Sequence, residues 1–434
     1  MKTLYCIMFT LLWCIFPFFD SWANPPKTNG HFKSPVTIVD MRFLLDKDMK
    51  NPENVKLIWD QLHTLSTLQG VVNRNQPRLY IKYIKEGKIE VDEYWWNKYR
   101  QPGEWLEKVD SIQLSSVIDA IRYYKNDIKG MVVYDSNVPS TSNVASAVAG
   151  IESLIAVRYD EDPQSLYQQI KKSGMLKEIV WLLKKDGTSL FTGKGTIPGT
   201  TIASTGSLKN DPYYWFMENY MKKGLCNTEY GAYYIDQYWR QKPFNAVRNH
   251  HTLTNHDFFV SKKAFFFDLS PWGDEPATDE PNQPTGTDLK TMQTFLSLAY
   301  HQNKGKKFCY IGGFPAWAYK YTKHAQGIHD DVPTEWQFSK IISAYNAFKD
   351  ADAIGYGALA NASFWQHFPL QDTYPQQWVS RKDLIRKGYL TQEGKIITKG
   401  KKYIIFYVGD YDASAWITQR TPSIWDDPNR GKLH

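Results

Sequence analysis

The sequence predicts an α/β protein: small N-terminal α/β units, then a (β/α)-barrel-like C-terminal domain that is incomplete, with about four β/α units. Three observations carry this. Short runs rich in β-branched and aromatic residues alternate with stretches whose apolar residues recur at helical spacing. Several of these runs end in a carboxylate. Hydrophobic residues make up 42% of 434 residues, enough for several cores and too many residues for one small domain.

In chain order, Val36 to Asp40 reads as a strand. Ile58, Leu62, Leu65, Leu68 or Gln69, and Val72 follow helical spacing, broken at 73–77, and Leu79 to Ile81 resumes as a strand. A second unit has a helix at 117–121, a strand at 130–135, a small-residue helix at 141–150 and a strand at 154–157. Asp135 with Ser136 and Asn137 suits a polar ligand at a strand end. Turn and capping chemistry accounts for the same residues more simply. Residues 163–250 are dense in aromatics and read as helices. Gly193-Lys194-Gly195-Thr196 is a turn, because a phosphate-binding P-loop needs Ser or Thr directly after its lysine. His250, His251 and His256 lack metal-ligand spacing and read as a linker. From about 257 the rhythm is strand, loop, helix. Strands fall at Phe265–Phe267, Phe308–Ile311, Ala353–Leu359 and Tyr403–Val408, with a helix from Thr334 to Phe348. The expected domains are 24–102, 103–172, 173–255 and 256–434, after a signal peptide at 1–23.

That leader has a lysine, a short apolar core and Ser21-Trp22-Ala23 as a small-x-small cleavage site, which predicts a secreted or periplasmic protein cleaved after Ala23. No later stretch is apolar for long enough to span a membrane. The net charge of +7 is spread without like-charge runs, which argues against a nucleic-acid arm. Of four cysteines, Cys226 and Cys309 lie beyond the leader, and they read as buried thiols that the fold has the option of pairing. Nothing in the spacing calls for a metal or another cofactor.

The segments "TLQGVVNRNQPRLYI" (67–81), "GGFPAWAYKYT" (312–322), "TEWQFSKIISAYNAFKDADA" (334–353), "ANASFW" (360–365), "GDYDASAW" (409–416) and "IWDDPNRG" (424–431) resemble the GxGYxYP family of secreted glycoside hydrolases. The resemblance runs in order along nearly the whole chain. It implies small N-terminal α/β units before a barrel-like hydrolase domain, and a glycan substrate. The GxGYxYP motif itself is absent, so the chain is expected to be a fragment or a truncated member that lacks part of the active site.

Glycoside hydrolysis uses two carboxylates flanking the scissile bond. The catalytic candidates are Asp410, Asp412 and Asp268, all at predicted strand ends. Trp272, Asp274, Glu275, Trp317, Asn361, Trp365 and Trp416 are the candidates for substrate binding, the tryptophans as platforms for sugar rings. Helix capping also suits an aspartate just after a strand. The alternative is a non-catalytic carbohydrate-binding protein that uses the aromatic strand-end loops. A metal-assisted deacetylase is weaker, since His367 is the one histidine near the strand ends. The absence of a GxSxG elbow disfavours a serine hydrolase. Sugar, linkage, stereochemical course and oligomeric state are not legible.

Overall fold

The computed structural model describes residues 32, 35–48, 50–138, 140–236, 253, 255–274, 280, 282–313, 329, 334–349, 361–370, 379–400, 402, 418 and 421–423. By its internal contacts the chain divides into two bodies. One holds residues 31–368 with 404–434. The other holds Pro369–Tyr403 with Met1–Gly30.

The larger body is built from three parallel sheets with one wiring. In the first, β1 (Val36–Asp40) is central, with β2 (Leu79–Lys82) on one side. A small hairpin, β3 (Lys85–Glu86) and β4 (Ile89–Glu90), follows before β5 (Ser111–Leu114) pairs on the other side of β1. In the second, β6 (Met131–Tyr134) lies between β7 (Ile155–Arg158) and β8 (Glu178–Trp181). In the third, β9 (Tyr230–Tyr233) lies between β10 (Phe265–Phe267) and β11 (Cys309–Gly313), and β12 (Ala347–Lys349) adds beyond β11. Each sheet thus places its first strand in the middle, its second on one side and its third on the other.

The α/β class read from the sequence is what these residues form. Among the described residues the strand order of the third sheet is not that of a barrel. In a barrel, consecutive strands are neighbours, whereas here β9 separates β10 from β11. The cause is the segment Tyr230–Tyr233, read from sequence as helical and folded as a strand. Glu178–Trp181 is a second strand within that aromatic-rich stretch, and Ser111–Leu114 is a third that the apolar pattern does not mark. The helix expected from Thr334 to Phe348 ends at Ser343, and Ala347–Lys349 turns back into the sheet. The strands expected at Ala353–Leu359 and Tyr403–Val408 lie outside the described residues.

Helices follow the strands in the larger body. They are α1 (Pro52–Val72), α2 (Val91–Tyr99), α3 (Val117–Tyr124), α4 (Ser140–Glu152), α5 (Leu166–Ser173), α6 (Asp211–Phe216, continued by a π turn to Met221), α7 (His256–Ser261), α8 (Thr287–Gln302), α9 (Thr334–Ser343) and α10 (Ala362–Trp365). Local chemistry starts and stops them. Asn51 caps α1 by accepting from Glu53 N, with Pro52 at the first helical position, where its missing N–H costs nothing. Ser116 and Ser165 cap α3 and α5, and Gly174 ends α5 in the left-handed conformation.

The helix that follows the first strand of each sheet is α1, α4 and α7 in turn, and these three pack on one another. Small residues let them approach. A Cβ on Gly150 would lie 2.6 Å from the carbonyl oxygen of Val260, and one on Gly70 would lie 2.6 Å from the Val260 Cβ. Val260 of α7 therefore sits between glycines of the other two helices. Arg74, just past α1, donates to the carbonyls of Gly150 and Ser261, satisfying the carboxyl ends of both partners. One apolar cluster runs through all three units, from Val39 to Ala347. A second, with Val36, Ile38, Tyr80, Trp96 and Phe364, covers the other face of the first sheet.

The smaller body carries α11 (Arg381–Arg386), opened by a capping box between Ser380 and Asp383, and an antiparallel bridge between Leu390 and Ile396.

The glycine contacts yield a test. Gly150→Ala should lower stability by about 1–3 kcal/mol, because backbone must move to admit the methyl group. Urea denaturation should show a lower midpoint at an unchanged slope.

Candidate functional site

Where α1, α4 and α7 meet, each contributes a polar side chain to one buried chain of hydrogen bonds. Ser146 of α4 donates to Ser142 O at 3.0 Å. Its oxygen must then accept from both imidazoles, His63 Nε2 at 2.7 Å and His256 Nε2 at 3.0 Å. This sets both tautomers. The Tyr134 hydroxyl donates to His63 Nδ1 at 3.1 Å, and the Ser66 hydroxyl donates to His256 Nδ1 at 2.9 Å. Burial pushes His63 down to about 3, helped by the nearby Arg158 charge. Burial likewise holds His256 far below the usual imidazole range. Both rings are neutral at physiological pH. His256, expected in a linker, instead opens α7 in the core because its ring completes this chain. His250 and His251 lie outside the described residues.

Beside it, a charged set again draws on all three units. Arg158 at the end of β7 donates through Nε to Asp60 Oδ1 of α1 at 2.6 Å, and it interacts electrostatically with Asp236 beyond β9. Burial pushes Asp60 up to about 6 against the pull of Arg158. Burial opposes the charge on Arg158, yet Asp60, Tyr134 and Asp236 together hold its pKa above the ordinary value.

The carboxyl ends of β9 and β10 lie alongside. Neighbouring parallel strands run about 4.8 Å apart. Tyr234 N donates to Phe267 O at 3.1 Å, so the pairing extends one residue past the strands. Asp268, 3% exposed, directly follows the last residue of β10, and Asp236, 6% exposed, lies three residues past β9. The Tyr213 hydroxyl accepts from Asp268 N at 3.0 Å and from Asn143 Nδ2 at 3.2 Å, and Asn143 also donates to Tyr234 O at 2.9 Å. Burial, then the charge of Asp268, raises the Tyr213 phenol above its ordinary range. Two residues past Asp268, Ser270 N donates to Asp288 Oδ2 at 2.9 Å. That carboxylate also takes Lys209 Nζ at 2.7 Å, Asn210 Nδ2 at 2.8 Å and Gln283 Nε2 at 2.9 Å. Burial would raise Asp288, but Lys209 and these donors overcome it and hold it below the usual carboxylate range.

The third sheet reverses its strand order between β9 and β11, the place where open α/β sheets bind ligands beyond their carboxyl ends. Gly313 ends β11 there with φ +81°, and a Cβ on it would run into Tyr233 O. Only glycine permits this approach of backbone to backbone.

The sequence-predicted residues separate. Asp268 stands at the strand end described. Trp272 is buried and stacks on His329 at 3.5 Å between ring centroids, with its Nε1 donating to Thr334 Oγ1 at 3.4 Å. Asp274 is exposed and meets His329 Nε2 at 3.0 Å. Asn361 and Trp365 sit elsewhere, at the edge of the first sheet. Asn361 Oδ1 accepts from Gln69 Nε2 and Ile81 N, each at 2.7 Å, and its Nδ2 donates to Ile81 O at 2.8 Å and Asp92 Oδ1 at 3.3 Å. The amide has no hydrogen-bonding capacity left for a substrate; it covers the open edge of β2 as a paired strand would. Trp365 packs against Tyr80, Tyr99 and Trp105. Asp410, Asp412, Glu275, Trp317 and Trp416 lie outside the described residues. Asp236, Tyr213, Lys209 and Asp288 were not expected. Asp236 carries the same signal as Asp268, an apolar run ending in a carboxylate, but inside the stretch read as helical. Cys226 and Cys309 are free and buried, and burial raises both thiols, Cys309 to about 12. Among the described residues no group of three or more His, Cys, Asp or Glu is set to hold a metal ion, and no helix is long and apolar enough to cross a membrane.

Residues 128–224 match the family model described as the GxGYxYP_N second domain. This match supports membership of the GxGYxYP family. No curated protein and no solved structure matches it. The GxGYxYP match runs from just before β6 through the π turn, so it contains Ser146, Arg158, Lys209 and Tyr213. Asp236 and Asp268 follow it.

Two predictions come from this geometry. Asn361→Ala should cost about 3 kcal/mol, since it strips partners from buried Ile81, Gln69 and Asp92 groups; urea denaturation checks this. The second concerns pH. The unfolded chain protonates His63 below about 6.5, whereas the folded chain waits until about 3. The unfolded state then binds more protons, and stability falls as pH drops through that window. His63→Gln should be less stable at pH 7. Its stability should fall less steeply between pH 6 and 4, by about 1.4 kcal/mol per pH unit. Denaturation curves at several pH values measure the slope.

Proposed function

We propose that this chain is an exported glycoside hydrolase that works by carboxylate acid/base chemistry, with Asp268 and Asp236 in the reacting pair and Asp410 and Asp412 as further candidates. The observation that carries the reading is the two buried carboxylates, Asp268 and Asp236, just beyond the carboxyl ends of the neighbouring strands β10 and β9. Two carboxyl groups about 5–5.5 Å apart suit a nucleophile and an acid, and a wider pair admits water. The family match supports a carbohydrate substrate. The leader at 1–23 supports export.

A second reading, carbohydrate binding without turnover, draws on the electrostatic contact of Asp236 with Arg158, which gives that carboxylate a structural task.

Release of reducing ends from a panel of neutral and acidic oligosaccharides tests both. Asp268→Asn should lower turnover by about 10³-fold while the thermal midpoint holds; Asp236→Asn should lower turnover as much and also lower the midpoint, because it takes a counter-charge from buried Arg158. Wild-type turnover in Asp268→Asn removes that residue from the mechanism. Binding without turnover in the unmodified chain selects the second reading.

A further inference from the structure

The second sheet has its own reversal of strand order, between β6 and β8. The loop at its carboxyl end joins β6 to α4 and is tightly closed. Thr141 Oγ1 accepts from Asp135 N at 3.0 Å and lies 2.9 Å from Asp135 O, and Asn137 N donates to Asp135 Oδ1 at 2.8 Å. This fastens the Asp135 carboxyl group in front of the first turn of α4.

Two polar atoms in this loop are buried without a partner. Asp135, 1% exposed, has its Oδ2 unpaired, and Ser140, 2% exposed and the first residue of α4, has its Oγ unpaired. Leaving such groups unmade costs about 1–3 kcal/mol each, and native proteins rarely tolerate it without a water or ligand. Beside these atoms the loop carries half-buried Ser136 and exposed Asn137.

The chemistry of the two atoms selects the ligand. An ionised carboxylate oxygen only accepts; a serine hydroxyl also donates; the first-turn N–H groups of a helix donate. An anion is repelled by Asp135. A bare cation needs more oxygen or nitrogen ligands than one carboxylate and one hydroxyl. A neutral hydroxyl fits, because it donates to Asp135 Oδ2 and accepts from Ser140 Oγ. An acidic residue at a strand end that holds a ribose hydroxyl is the same device in dinucleotide-binding sheets. One turn further along α4, Asn143 reaches Tyr234 O and Tyr213, which contact the Asp268 strand end.

We propose that Asp135 and Ser140 form a sugar subsite that binds a hydroxyl of a neutral carbohydrate at the start of α4. The choice of a sugar over another polyol rests on the glycan reading above.

The test uses the full chain. Binding of glucose, galactose, mannose, xylose and their linear trisaccharides is measured by saturation-transfer NMR and calorimetry. The wild type should bind at least one. Asp135→Asn and Ser140→Ala should each weaken that binding about tenfold, the effect of one lost hydrogen bond to a charged group. Should Asp135→Asn fail to fold, Ser140→Ala and Ser140→Val decide alone. Wild-type affinity in the folded variants overturns the subsite, as does failure of the unmodified chain to bind any of these sugars. Binding that depends on Asp135 in a chain without hydrolysis overturns the hydrolase reading and keeps the subsite.

Discussion

Two histidines that remain neutral hold this protein together. Neither His63 nor His256 can satisfy its ring nitrogens within its own unit. Both meet at the Ser146 hydroxyl, and each needs a second hydroxyl, from Tyr134 or Ser66. A buried hydrogen bond has little net worth when made and costs much more when broken. The chain of five groups therefore favours one arrangement of three helices over others of similar apolar burial. Burial removes the charge from the rings, so no ion has to be desolvated.

The charged set beside it repeats the principle. Asp60, Arg158 and Asp236 come one from each unit. A cation buried at the end of β7 requires anions from the neighbouring units, and removing one partner would leave it uncompensated. Glycine and alanine on α1 and α4 make the close approach sterically possible. The result brings strand ends of the third sheet to α4, where Asn143 reaches Tyr213 and Tyr234 and the Tyr213 hydroxyl accepts from Asp268 N.

Much of the first two units is legible along the chain. Val36 to Asp40, the spacing of Ile58 through Val72, and Leu79 to Ile81 are local signals, and they became β1, α1 and β2. The third unit is harder. Tyr230–Tyr233 is a short strand buried on both faces, and such a run has no alternation to tell it from a buried helix. Missing it produced a barrel-like reading and concealed Asp236. Asn361 looked like a ligand at a strand end. Its true partner, Ile81, is far away in sequence, and nothing local announces an amide that finishes a sheet edge.

The sequence by itself determined the α/β class, the early strand–helix–strand pattern, the family resemblance and Asp268 as a carboxylate at a strand end. These depend on apolar periodicity and on residues close together in the chain. The tertiary structure alone decided the strand order, the neutral state of the histidines, the contact of Arg158 with Asp60 and Asp236, and the unpaired oxygens of Asp135 and Ser140. Each of these depends on which side chains are brought together from distant parts of the chain and shut away from water.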